Sequence, residues 1–156
     1  MKPVQKWLDE YAESHQNPIN IVIHWICVPL IMLSIIGLLA NIKLHISLFS
    51  NYSQYSHAGM ILIIFGCIYY FFLSKPLLLG MLPVSIIMLL TVNWLSTFNF
   101  PLWQTSLIIF VVSWLGQFYG HKIEGKKPSF FKDIQFLMIG PLWLLSKLYR
   151  RYGISY

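Results

Sequence analysis

Apolar residues fall along this chain in long unbroken runs, not in the alternation of a half-buried strand or the narrow stripe of a soluble helix. Four runs stand out, at residues 19–40, 58–73, 77–98 and 102 to about 119. About 17 to 25 apolar residues match the hydrocarbon thickness of a bilayer, and lipid offers no partner to free backbone groups, so each run is predicted to be a helix. The second run is short for a crossing at 16 residues. Either it recruits residues 55–57, or it forms a re-entrant hairpin with the third run, turning at Lys75 and Pro76.

Two flanking segments carry a different pattern. Residues 3–15 place Val4, Trp7, Leu8 and Tyr11 at helical spacing with charges opposite, which predicts an amphipathic helix lying at an interface. Residues 133–152 are apolar, interrupted by Gly140 and Pro141 and closed by Lys147, Arg150 and Arg151. The interruption halves the continuous apolar length, so this segment is predicted to be an interfacial or partly inserted helix. The expected fold is an all-α integral membrane protein, with about four transmembrane helices and interfacial helices at both ends, forming one domain over residues 1–156.

Composition strengthens that expectation. The chain is 57% hydrophobic and 10% charged, with a mean hydropathy of +0.65, whereas about 25% of residues are charged in soluble domains. The first eighteen residues hold Asp9, Glu10 and Glu13 and no apolar core, unlike a cleaved signal peptide. The two cysteines, Cys27 and Cys67, lie within apolar runs and suggest no disulfide framework. If all four runs cross, Lys2, Lys6, Lys75, Lys122, Lys126, Lys127, Lys132, Lys147, Arg150 and Arg151 share one side, and Lys43 alone takes the other. This asymmetry predicts both termini in the cytoplasm and explains much of the net charge of +6, and no nucleic-acid partner is expected.

The polar residues gather on that same side. Asn17 and Pro18 suit a helix start, as cap and first-turn residue. Asn20 and His24 follow at a spacing of four on one helical side, and His15 precedes them at the end of the amphipathic segment. The fourth run leaves the membrane through Trp114, Gln117, His121 and Glu124, whose intervals of three, four and three form a single stripe. Three histidines and a carboxylate from the two ends of the chain thus share one membrane depth. Neutral imidazoles with a carboxylate suit a divalent transition metal, non-haem iron in particular. Glu124 can ligate, orient a histidine, or pair with Lys126 or Lys127. Tyr11, Asn17, Asn20 and Gln117 are candidates for supporting or substrate-binding roles, and Lys122 or Lys126 for attracting an anionic group. His45 and His57 fall on the far side, although a re-entrant second segment would return His57 as a ligand candidate. The bland alternative is a helical scaffold or transport protein with snorkelling histidines; a haem protein would need histidine pairs on facing helices, which are not evident.

Two blocks carry a resemblance. The pattern YxxxHxNPxNxxIHxxxVP from Tyr11 to Pro29, followed by WxxQFxGHxxExxxP from Trp114 to Pro128 and GPLW from Gly140 to Trp143, resembles the membrane 2-hydroxy-fatty-acid dioxygenases. These are fungal enzymes of phytosphingosine breakdown with bacterial relatives. The resemblance implies Fe(II)-dependent alpha-oxidation, in which a 2-hydroxy fatty acid and dioxygen give a fatty acid one carbon shorter. It carries the metal-site histidines onto His15, His24 and His121, in a bacterial inner membrane or an ER-type membrane.

The orientation is directly testable. A cysteine probe at Ser50 should react with an impermeant reagent added from outside, and one at Ser129 should be spared. The reverse pattern would invert the topology.

Overall fold

The computed structural model describes residues 4–44, 54–125 and 136–156, and among these every regular element is a helix. In chain order they are α1 (Val4–Ala12), α2 (Pro18–Leu39), α3 (Ala58–Leu73), α4 (Lys75–Leu95), α5 (Leu102–Glu124) and α6 (Ile139–Arg151). Three of them, α2, α4 and α5, are long and apolar enough to cross a membrane, whereas α3 has 16 residues. At 1.5 Å per residue α3 extends about 24 Å, somewhat less than the ~30 Å of hydrocarbon.

α3 packs against α2. At one end the Ala58 amide donates to the Ile42 carbonyl at 3.0 Å, and Gly59 lies against the Ile36 carbonyl. At the other end the Tyr70 hydroxyl donates to the Met138 carbonyl at 2.9 Å, beside the start of α6. Ser74 then caps α4, accepting from the Leu77 amide, so Lys75 and Pro76 begin that helix and do not lie in a turn before it. Proline suits that position because its missing N–H would be unpaired there anyway.

The terminal helices cover one end of the bundle together. α1 buries Leu8 and Tyr11, and α6 buries Ile139, Leu142, Trp143 and Leu144, in a common cluster with Tyr70, Leu77 and Met81. Gly140 and Pro141 occupy the first turn of α6, just after the helical backbone at Phe136 breaks at Leu137 and Met138. The segment expected from residue 133 therefore yields a helix from Ile139, and residues 126–135 lie outside the described ones, Lys126 among them. Pro141 starts the helix because a first-turn residue has no amide bond to lose.

The longest interface joins α2 and α5, which run antiparallel along a seam of small residues. Gly37 meets Ser106, Gly116 meets Cys27, and Gly120 meets Asn20, while Ser34 and Ser113 are also buried. Ser106, Ser113 and Gly120 recur every seven residues, which keeps one face of α5 against its partner over several turns. Helices surrounded by lipid gain little from hiding apolar surface from one another, so close backbone approach through small residues supplies the packing. The outward faces remain apolar, as in Phe72, Ile87, Val112 and Leu115, each more than half exposed.

The seam predicts a sharp contrast between two substitutions on α5. A Cβ at Gly116 would stand 2.7 Å from the Cys27 sulfur. Gly116→Leu should therefore cost about 1 to 3 kcal/mol through overpacking, visible as a lowered melting temperature in detergent. Val112→Leu, on the outward face at 61% exposure, should leave it unchanged.

Candidate metal centre

Three imidazoles meet where α1, α2 and α5 converge. His15 lies just past α1, His24 is in the second turn of α2 and His121 is in the last turn of α5, with exposures of 4%, 1% and 6%. Each offers a ring nitrogen within 4.8 Å of the others. The ring centroids are 4.2 Å apart for His15 and His24, 5.3 Å for His15 and His121, and 5.2 Å for His24 and His121.

Backbone carbonyls aim two of these rings. The Nδ1 of His15 donates to the Tyr11 carbonyl at 2.6 Å, and the Nδ1 of His24 donates to the Asn20 carbonyl at 2.9 Å. Both acceptors lie four residues earlier, one helical turn, and a carbonyl oxygen can only accept. Each neutral ring therefore carries its proton on Nδ1 and presents an unprotonated Nε2. Those two Nε2 atoms face each other at 2.8 Å. Two lone pairs so directed repel unless a proton or a cation lies between them. Burial disfavours the proton, pulling His15 down to about 4 from the ordinary 6.5 despite its bond to the Tyr11 carbonyl. At neutral pH the arrangement suits a cation, and three neutral nitrogen donors are a set that divalent transition metals take. Imidazoles bonded at about 2.0 to 2.1 Å and set at right angles would hold their nitrogens roughly 3 Å apart, close to the spacing here.

Aromatic rings enclose His15. Tyr11 stacks on it with centroids 4.1 Å apart and planes 4° from parallel, and Trp143 of α6 stands 5.2 Å away. The Lys147 ammonium lies 4.3 Å from the centre of the Trp143 ring and is close enough to lower the His15 pKa further. A cavity of about 40 Å³, room for no more than a few waters, opens beside the imidazoles among Tyr11, His24, Trp114, Gln117 and His121.

Glu124 sits at the rim, with both carboxylate oxygens occupied. Oε1 accepts from the Gln16 amide at 2.7 Å; Oε2 accepts from the Asn17 amide at 2.9 Å and from the Asn20 side-chain amide at 3.0 Å. The C-terminal end of α5 thus grips the turn between α1 and α2, and places His121, three residues earlier, beside the other two histidines. Asn17 also caps α2 as its sequence suggests, accepting from the Ile19 amide at 2.9 Å. Asn20 reaches the Ser14 carbonyl as well, at 3.3 Å, and Gly120 gives its side chain room to enter the seam. A left-handed glycine, Gly125 at φ 72°, ends α5 one residue after the grip.

The remaining candidates are placed elsewhere. Lys122 is exposed in the last turn of α5, and Lys126 and His45 lie outside the described residues. His57 caps α3 and pairs in a short bridge with Lys43, beside the far end of α2. From His24 to Ile36, its neighbour by way of Gly59, α2 rises about 18 Å, beyond the reach of one metal ion. Trp143 and Lys147 entered the sequence reading only as part of a short motif and a basic flank. Their spacing of four, one helical turn, was the available signal that both face the same way.

No solved structure matches the chain. A curated protein from Saccharomyces cerevisiae, named 2-hydroxy-palmitic acid dioxygenase MPO1, is 26% identical over 145 residues, covering 92% of this chain and 78% of the yeast protein. The family described as 2-hydroxy-palmitic acid dioxygenase Mpo1-like matches residues 1–152. With nearly its whole length matched, including both histidine blocks, the chain belongs to the Mpo1-like family.

Proposed function

We propose that this protein is a membrane-embedded Fe(II)-dependent dioxygenase that converts a 2-hydroxy fatty acid to the acid one carbon shorter. The observation that carries the metal reading is the pair of buried, unprotonated Nε2 atoms of His15 and His24 facing each other at 2.8 Å. The name of the yeast relative supplies the substrate class. The overall change balances with dioxygen as the only oxidant. The bond between the carboxyl and alpha carbons breaks, the alpha carbon becomes a carboxyl group, and carbon dioxide and water leave. When bound, iron supplies the redox and Lewis-acid chemistry that brings the acid and dioxygen together.

The chain's own residues hold and orient. His15, His24 and His121 would hold the iron through three ring nitrogens. Glu124 acts as a positioning residue, because its oxygens are engaged with Gln16, Asn17 and Asn20. Tyr11 and Trp143 fix the His15 ring and exclude water, and Gln117 lines the space where the polar head would lie. Lys147 and the exposed Lys122 attract the carboxylate, and the sequence position of Lys126 gives it the same role. The distribution of basic residues puts this end of the bundle, and both termini, on the cytoplasmic face.

Two predictions follow from these roles. Replacing His15, His24 or His121 by Ala should abolish both iron retention and oxygen uptake. Glu124→Gln should keep part of the iron while turnover falls about 10 to 100-fold. The new amide would turn an NH₂ group toward backbone donors, so the melting temperature should fall as well. Iron per chain, oxygen uptake and thermal unfolding of each purified variant separate these cases; full iron and full turnover in His121→Ala would overturn the site. On the substrate side, the 2-hydroxyl and carboxylate should both be required, because both are proposed to engage the metal. Oxygen uptake with the unsubstituted or 3-hydroxy acid equal to that with the 2-hydroxy acid would contradict the mechanism.

A further inference from the structure

The cavity beside the imidazoles has a second cavity as its inner neighbour. Leu137 forms part of the wall of each, and the second lies between α2, α3 and α4. The second cavity begins near Tyr70 and Met81, in the packing cluster that also holds α1 and α6, and reaches Ile36, Leu62 and Met88 at the opposite end of the bundle. Along α2 the distance from His24 to Ile36 is about 18 Å, the length of a long alkyl chain. The hydroxyl of Tyr70 is committed to the Met138 carbonyl, so the lining is almost wholly apolar.

Two features of the lining point to a flexible apolar occupant. Met32, Met81, Met88 and Met138, four of the six methionines in the chain, face this space. Methionine packs adaptably and can move aside for a guest, which a narrow cavity of about 40 Å³ requires. Gly66 stands midway along α3, where glycine costs about 1 kcal/mol relative to alanine in a helix. No backbone crowds it; the atom nearest to a Cβ built there is the Met138 methyl, at 3.2 Å. A side chain at Gly66 would displace the Met138 methyl and take up part of this space.

We infer that this groove receives the acyl tail of the 2-hydroxy acid, and that Gly66 determines which tail lengths pass. The inference rests on the proposed function, since the polar head of the acid is what fixes one end of the tail at the histidines. An apolar tail that began at the imidazoles and followed Leu137 would remain buried within the helices, while the head stayed at the interface.

A 2-hydroxy acid with a diazirine near its terminal carbon should, on illumination in detergent, label Ile36, Leu62 or Met88. Labelling spread over outward residues such as Phe72 and Ile87 would overturn the groove. In turnover with 2-hydroxy acids of graded length, Gly66→Leu should raise the short-to-long ratio of kcat/KM on the order of tenfold or more. Ile68→Phe, on the outward face, should leave the ratio unchanged. An equal loss at every length, with iron content and melting temperature intact, would refute the role of Gly66. Should Gly66→Leu fail to fold, Met88→Trp at the far end provides the same comparison, with only the longest tails expected to suffer. Groove labelling without turnover of any 2-hydroxy acid would leave the tail site standing and refute the dioxygenase reading instead.

Discussion

A single carboxylate joins the two ends of this chain. Glu124 accepts hydrogen bonds from the amides of Gln16 and Asn17 and from the side chain of Asn20, more than a hundred residues away in sequence. Near an apolar interface these donors and this charge would be expensive to leave unpaired, and together they satisfy one another. The turn between α1 and α2 is thereby tied to the last turn of α5. His121 lies one turn before Glu124, and His15 and His24 flank the gripped turn, so the same contact that pairs the polar groups also assembles the three imidazoles.

The small-residue seam makes that contact possible. Gly120 admits Asn20, Gly116 admits Cys27, and Gly37 admits Ser106, so α2 and α5 approach closely along their length. A bulkier residue at Gly120 would push Asn20 away from Glu124 and separate the histidines while both helices still formed. Packing and chemistry are therefore coupled at one residue. The two histidines aimed by carbonyls depend on a different constraint, an acceptor four residues earlier, which α2 supplies for His24 and the turn after α1 supplies for His15.

Polarity is distributed along the bundle in a way that fits an amphiphilic substrate. The imidazoles, Glu124 and Lys147 lie at one end, and methionine and isoleucine line the interior beyond Leu137. A polar head and an apolar tail would each find matching surroundings without either crossing the other's environment. α1 and α6 roof the polar end with Tyr11 and Trp143, separating the histidines from bulk water and holding His15 neutral.

The hydropathy pattern alone located the helices, because long apolar runs admit only helical backbone in lipid; the run at 58–73 became α3 without change, and α2 differed by one residue at each end. Local chemistry was equally legible: Asn17 caps α2 and Pro18 follows it, as short-range rules require. The spacing of Gln117, His121 and Glu124 placed them on one side of α5, and their pairing with the first histidine block could be expected from shared depth. Three features were decided only by the tertiary structure. Apolar length did not foretell the neighbours of α3, whose two ends contact the end of α2 and the start of α6. The exact place of the interruption near Gly140 and Pro141 was open: the helical backbone breaks at Leu137 and Met138, and the pair lies in the first turn of the helix that follows. The partners of Glu124 could not be read from spacing, since ligation, orientation and ion pairing all suit a carboxylate one turn past a histidine. Its partners in the folded chain are two amides and an asparagine from the opposite end of the sequence, a contact that no local pattern encodes.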